Sequence, residues 1–289
     1  MSDFLQLTFA GLSQGMVYAL VAFGFVAIFS VSQVINLAQG ELAALAGLVA
    51  ISLAGSGLPL ILALLVAVAT AAIVAALIYR LTIAPVRRLT TLVSLILTLG
   101  VSTALKALML LVWGPDAERL TPFPGSGFTV AGVSIRSQEL WILGVGAVVA
   151  FLVYRFYEDT VTGKALRACS EQPVAARLVG ISPRRATMLA FVIAGVLGGI
   201  AGVVSAPITL SSWEIGLALG LMGFVAATLG GLVSMRGALL GGLLLGVLET
   251  LVAGYVDTGF RDAVAFVLLI AVLVARPQGI FGRHAEARV

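Results

Sequence analysis

Between Leu7 and Ala275 the chain is almost continuous hydrocarbon, broken at intervals by short polar or Gly/Pro-rich stretches. A bilayer core of roughly 30 Å is crossed by about 20 apolar residues in a helix, whose backbone then satisfies its own hydrogen bonds. The spacing of the breaks therefore predicts transmembrane helices over Leu7–Ser30, Glu41–Ala54, Leu60–Tyr79, Leu89–Trp113, Glu139–Tyr157, Ala186–Ala206, Ile215–Val233, Gly237–Tyr255 and Asp262–Ala275. The fold class is all-α: a polytopic transmembrane bundle of about nine spans (eight to ten), forming a single domain over residues 1–289. Glu41–Ala54 is short for a crossing; joined to the polar bend at Gln33–Gly40, it reads as a broken or tilted helix.

Composition removes the soluble classes. Hydrophobic residues make up 61% of the chain and charged residues 10%, against about 25% charged in a soluble domain. The mean hydropathy is +1.15. The one cysteine, Cys169, allows no disulfide within the chain, and the one histidine, His284, sits in the polar tail. Only Asp3 is charged ahead of the first apolar run, so that run is expected to be a retained span rather than a cleaved signal peptide. A pI near 9.6 could suggest nucleic acid, but the basic residues divide by membrane side instead. With the N-terminus outside and the C-terminus cytoplasmic, the 17 Lys and Arg residues lie on the inner side except Arg119, Arg136, Arg261 and the intramembrane Lys106. That asymmetry is topogenic, and no nucleic-acid partner is expected.

Three segments escape the hydrocarbon. Residues 114–138 form an external linker rich in Pro and Gly, in which TVAGVSI has the pattern of a short hairpin. Residues 276–289 form a polar cytoplasmic tail. Residues 158–186, EDTVTGKALRACSEQPVAARLVGISPRRA, carry Lys164, Arg167, Arg177, Arg184 and Arg185. Pro173 suits a first helical turn and Gly180 a left-handed stop, while Ser182-Pro183 resembles an N-cap and N1 pair. The segment reads either as two short helices presented to a partner or as an ordinary hydrated loop.

Polar residues inside spans are the candidates for function, because a charge at the bilayer centre costs about 2.5–3.5 kcal/mol on insertion scales. Gln14 and Tyr18 stand one turn apart on the first span; Asn36, Gln39 and Glu41 cluster where the second begins; Lys106 and Glu249 lie inside later spans. These residues could line a polar translocation path, or could snorkel and satisfy helix ends. Small residues four apart, such as Gly11/Gly15 and Gly242/Gly246, indicate close helix packing. Gly11-Leu-x-x-Gly15 recurs as Gly216-Leu-x-x-Gly220, a faint internal echo of the kind transporters show. No HExxH motif or P-loop is present: Gly163-Lys164 is followed by alanine and lacks the earlier glycine. The chain is not expected to hydrolyse ATP, and an intramembrane enzyme is disfavoured for want of a nucleophile–base set. A stand-alone ion-coupled carrier using Lys106, Glu41 and Glu249 as a charge relay remains the rival from another class.

VINLAQGELAALAGLVA (34–50) resembles the "INFAHGE" region of the branched-chain amino acid permeases of ABC transporters, with Gln39 in place of the usual histidine and Leu37 in place of phenylalanine. LRACSEQPVAARLVGIS (166–182) is similar to the cytoplasmic coupling loop of that family, and RDAVAFVLLIAVLVARPQGIFG (261–282) to its last span and RPQGLFG-like ending. The resemblance implies a membrane-spanning importer subunit for branched-chain or hydrophobic amino acids, non-catalytic in itself. It binds no cofactor, ATP and Mg being held by partners. The implied partners are two ATP-binding subunits, a second permease chain, an external substrate-binding protein and membrane lipid. Arg167, Ala168, Glu171, Ala175, Ala176, Leu178, Gly180 and Ile181 are then expected to couple to the ATPase, and Gln14, Tyr18, Asn36, Gln39, Glu41 and Glu249 to line the path. The implied location is the bacterial inner membrane. Because Gln39 departs from the usual residue, related solutes such as urea, short amides or other small polar molecules stay open.

Overall fold

The computed structural model describes residues 2–86, 90–130, 133–276 and 278–281. Arg87, Arg88, Pro277, Arg283, His284 and Arg288 fall outside the described residues. The helices are α1 (Ser2–Ser32), α2 (Gln39–Gly55), α3 (Leu60–Ile78), α4 (Thr91–Trp113), α5 (Ser137–Asp159), α6 (Val161–Glu171), α7 (Pro173–Leu178), α8 (Pro183–Ser205), α9 (Ile215–Gly230), α10 (Met235–Tyr255) and α11 (Arg261–Ala275). Among the described residues seven helices are long and apolar enough to cross a membrane, while α2 and α9 are apolar but shorter, with 17 and 16 residues. The expected hairpin is present: β1 (Phe128–Val130) pairs antiparallel with β2 (Val133–Ile135).

The bundle is organised around α1, which packs against α10, α8, α9 and α5. From Met16 to Ile28 nearly every side chain is buried, including Phe23 and Phe25, so this helix is apolar all round because it faces protein all round. Its antiparallel seam with α10 requires glycine. A Cβ on Gly15 would stand 2.6 Å from the carbonyl oxygen of Gly242, and one on Gly242 would stand 2.6 Å from the backbone nitrogen of Ala19. Such small-residue contacts let backbones approach where lipid offers no hydrophobic drive for helix association. Gly11 shares this seam, whereas Gly216 and Gly220 pack on α2. Both copies of the expected echo thus sit at close helix contacts, the α1 copy on α10 and the α9 copy on α2.

Each of the two shorter helices follows a stretch of irregular backbone inside the bundle. The chain leaves α1 through Gln33, a non-glycine residue at φ 57°, and turns into α2 beside the middle of two full-length helices. Gln39, the first residue of α2, reaches Gly24 of α1 and Ala194 of α8. On the other side of the bundle, residues 206–214 lead back from α8 into α9, whose first turn lies against that of α2: a Cβ on Gly40 would collide with the Gly216 carbonyl oxygen. The irregular backbone is hydrogen-bonded by the protein. Thr98 Oγ1 donates to Ile35 O at 3.1 Å, Leu120 N to Ala206 O at 3.3 Å, and Ser211 and Glu118 exchange backbone bonds of 2.8 and 3.0 Å.

Beyond the last helix, Ile280 N donates to Leu229 O at 2.8 Å and Phe281 N to Gly230 O at 3.2 Å. The Gly279-Ile280-Phe281 motif therefore caps the last carbonyls of α9, with Gly231 and Gly279 at positive φ making the turns. Arg80, Arg155, Lys164, Arg167, Arg177, Arg184, Arg185, Arg236 and Arg276 gather at the end of the bundle bearing α6 and α7, and Arg119, Arg136 and Arg261 at the end bearing the hairpin.

The seam yields an expected outcome. Gly242→Val should destabilise the folded protein by about 1–3 kcal/mol, the usual cost of overpacking, and lower its unfolding midpoint in detergent. Gly100→Ala on α4, where nothing lies within 4 Å, should leave the midpoint unchanged or raise it slightly. Equal midpoints for wild type and Gly242→Val would contradict the close α1–α10 contact.

Candidate functional site

Three groups of polar or exposed residues stand out, and each is assembled by different helices. The first lies where α2 begins. Asn36 Oδ1 accepts from Ala38 N at 3.3 Å, shaping the turn into α2. Gln39 Nε2 donates to Ala194 O at 2.8 Å. Glu41, fully buried in the first turn, accepts from Ser102 Oγ of α4 at 2.9 Å and lies against Gly216 of α9. Lys106, one turn further along α4, acts on the same carboxylate through space. A carboxylate in a first helical turn also meets the positive end of the helix dipole. Asn36 Nδ2, Gln39 Oε1 and Glu41 Oε2 have no hydrogen-bond partner among the described residues. The three side chains thus share one junction but point to different neighbours: Gln39 to α1 and α8, Glu41 to α4 and α9.

The second group lies about 9 Å nearer the hairpin end along α1, six residues away at 1.5 Å each. Tyr18 Oη donates to Glu249 Oε1 at 3.0 Å, Gln14 bonds Tyr18, and the Arg261 guanidinium pairs with Glu249 through Nε. Here α1, α10 and α11 are tied by one buried carboxylate. Arg261 and Ser102 were not among the expected site residues. The signal for Arg261 is helical-hairpin arithmetic: Glu249 lies shortly before the end of α10 and Arg261 opens α11, so antiparallel packing brings a long basic side chain to the depth of the acid. Glu41 with Ser102, and Glu249 with Tyr18 and Arg261, are separate clusters, so the residues of the expected charge relay do not form one chain of contacts.

A cavity of about 270 Å³ opens beside this second group. It lies between Ala10 and Gln14 of α1, Glu139 of α5, Ile208 and Thr209, and Arg261. Arg136 Nε pairs with Glu139 Oε1 at 3.2 Å at its rim. A larger groove of about 450 Å³ between α10 and α11 is lined only by apolar side chains such as Val252, Phe260 and Val267.

The third group is the α6–α7 surface. Thr160 Oγ1 accepts from Gly163 N at 2.9 Å to start α6; Pro173 opens α7, and Gly180 at φ 85° ends the turn that follows it. Leu166, Cys169 and Ala176 pack with Tyr157 and Ala186, fastening both helices to α5 and α8. Burial pushes the Cys169 thiol above its ordinary value. Arg167 pairs with Glu158 at 2.7 Å. Ala168 and Ile181 are half-buried against that cluster, while Glu171, Ala175 and Gly180 are exposed. Leu178 and Val179 are 85% and 74% exposed, an apolar tip facing away from the bundle.

Gly11-Leu-Ser-Gln-Gly15 spells the G-x-S-x-G pattern of hydrolase nucleophile elbows, a match not among the sequence expectations. It lies within α1 rather than on a strand-to-helix turn, and Ser13 Oγ donates to the Glu139 backbone oxygen at 3.3 Å. Among the described residues no cluster of His, Cys, Asp or Glu could hold a metal ion.

Residues 7–273 match the family model described as branched-chain amino acid transport system / permease component. The chain is 33% identical to the high-affinity branched-chain amino acid transport system permease protein LivH of Escherichia coli K12, over 99% of this chain and 98% of that protein. It is 34% identical to the corresponding permease protein BraD of Pseudomonas aeruginosa, with the same coverage. Its fold is also similar to PsaBC from Streptococcus pneumoniae, solved in complex with Fab, at a TM-score of 0.53 and 14% identity over 93% of this chain and 91% of that one.

The ion pair makes a directional prediction. Glu249 is 1% exposed and Arg261 44%, so Arg261→Gln takes the neutralising charge from a buried carboxylate that keeps its Tyr18 bond, while Glu249→Gln leaves a guanidinium that can hydrate. Arg261→Gln should therefore cost more, on the order of 2–3 kcal/mol, and the double variant should recover part of the loss. Thermal unfolding in detergent micelles checks this; the reverse order of the single variants would contradict it.

Proposed function

The chain belongs to the branched-chain amino acid transport system permease family, and on that premise we propose that it translocates branched-chain or other hydrophobic amino acids as half of an ATP-driven importer's membrane domain. It is a multi-pass protein of the inner membrane. The observation that carries the reading is the match over residues 7–273, together with full-length relatives whose names specify branched-chain amino acid transport.

In this reading the α6/α7 end faces the cytoplasm and the N-terminus lies outside, an orientation supported by the basic residues gathered at that end. A separate ATP-binding subunit docks on α7, and two such subunits serve a pair of permease chains. The exposed Leu178 and Val179, beside Arg177, suit a partner with an apolar pocket and acidic rim. The Leu166–Cys169–Ala176 cluster gives that handle a rigid footing on α5 and α8, so a push on α7 reaches full-length helices rather than dissipating in a loop. ATP and Mg belong to the partner, and this chain contributes no covalent chemistry. An external binding protein delivers the amino acid to the hairpin end. Gln14, Tyr18 and Glu249 border the path there, with the Asn36–Glu41 junction deeper in.

The test is a handle variant. Leu178→Glu, or Ala175→Glu, should reach the membrane and run as a monodisperse species in mild detergent, yet lose the co-purifying ATPase and at least about 90% of amino acid uptake, as expected when a buried interfacial contact becomes an unpaired charge. Retention of both by either variant would overturn α7 as the docking element.

A further inference from the structure

The cavity at the hairpin end has a chemistry that transport alone does not assign. We propose that it is a binding site, on the permease itself, for the zwitterionic head of a free α-amino acid, with Arg261 receiving the carboxylate and Glu139 the ammonium group. This rests on the transport reading above and adds to it a located site.

The lining carries both signs of charge. Glu139 projects from the first turn of α5 and is nearly buried, 7% exposed, so its negative charge is held in a poorly solvated wall. Its partner in the ion pair, Arg136, is 74% exposed and therefore largely hydrated. Arg261 forms part of the wall contributed by α11. A guanidinium has five N–H donors in a planar fork, and the bonds to Glu249 and Tyr18 leave other donors for a bidentate carboxylate. The lining holds two guanidinium groups, Arg136 and Arg261, and one carboxylate, Glu139. A simple cation meets two like charges and a simple anion meets Glu139, whereas a zwitterion offers each wall the opposite charge.

The remaining lining suits what lies behind such a head group. Gln14 and Thr209 offer neutral hydrogen bonds, and Ile208 and Ala253 offer apolar surface to an aliphatic side chain. At about 270 Å³ the cavity falls just below the roughly 300–1,000 Å³ typical of small-molecule sites, a scale matching an amino acid rather than a nucleotide. The larger α10–α11 groove has no polar lining to receive either charge. The site also adjoins the Tyr18–Glu249–Arg261 cluster, so a carboxylate bound to Arg261 would act directly on the ion pair that ties α11 to α10.

The experiment uses the full chain purified with its ATPase and partner permease in lipid nanodiscs, without the external binding protein. Equilibrium binding of radiolabelled L-leucine is measured in competition with leucinamide, which lacks the carboxylate, and 4-methylpentanoate, which lacks the ammonium group. Saturable leucine binding is expected, with each analogue competing about tenfold or more weakly, in line with the strength of hydrogen bonds between charged groups. Glu139→Gln should weaken leucine about tenfold and strengthen 4-methylpentanoate, which no longer meets a like charge. Failure of leucine to bind, or equal competition by all three ligands, would overturn the assignment, and both readouts on the wild-type complex are independent of whether the variant folds. ATP-driven leucine uptake by the same complex with binding protein added separates the two claims. Intact uptake without direct binding removes the cavity site and leaves the transport reading standing, whereas loss of both removes both.

Discussion

Hydrocarbon supplies no hydrogen bonds, so each stretch of irregular backbone inside the bundle must be bonded by the protein. Two such stretches, 33–38 and 206–214, lead into α2 and α9, and much of the polar chemistry in this chain serves them. Thr98 bonds Ile35, Asn36 bonds its own turn, and the 118–120 segment of the linker pairs with 206 and 211. Gln138 serves from α5, donating to Val204 O at 2.9 Å and accepting from Phe123 N at 3.1 Å. The linker is therefore structural where it touches the bundle, closing one end over the re-entering chain.

That constraint divides the molecule in two. Around α1 the packing is close, with α8, α9 and α10 supplying glycine and alanine where backbones meet. Outside this hub, α3, α4, α5 and α11 each present exposed apolar faces, among them Leu65, Leu111, Phe151 and Val274. Of these α3 is held to α8 by a close seam of alanine against Gly195 and Gly199, whereas α4, α5 and α11 meet the rest of the bundle across less extensive boundaries. The Glu249–Arg261 pair is the main polar tie across one such boundary, joining α11 to the hub through a contact whose partners differ sharply in exposure. On the opposite end, the α6–α7 segment is fastened by a small apolar cluster together with the Arg167–Glu158 ion pair.

The sequence disclosed the helices readily, because span length and polarity are set by the bilayer and not by tertiary context. The short second span and its polar bend appear as the helix Gln39–Gly55 after the non-helical stretch 33–38, and Pro173, Gly180 and Ser182-Pro183 mark the ends of α7 and α8 as their backbone chemistry dictates. The break before α9 was visible too, since the spans expected to end at Ala206 and resume at Ile215 match α8 and α9; what stayed hidden is its pairing with a linker nearly a hundred residues earlier. The polar groups were visible as residues but not as partners. Glu41 and Ser102, or Glu249 and Arg261, meet only once helix order and depth are known. The cavity walls were missed for the same reason, since Arg136, Glu139 and Arg261 each look like ordinary interfacial charges until the first turns of α5 and α11 are brought together.

The most direct test of the central claim is the energy source for transport. The chain, reconstituted in proteoliposomes with its ATPase, partner permease and binding protein, would be assayed for leucine accumulation with and without ATP, and with a protonophore and a sodium ionophore present. The account predicts accumulation that requires ATP and persists when both ion gradients are collapsed. Accumulation that continues without nucleotide and disappears with the gradients would contradict it and assign the buried carboxylates Glu41 and Glu249 to ion coupling instead.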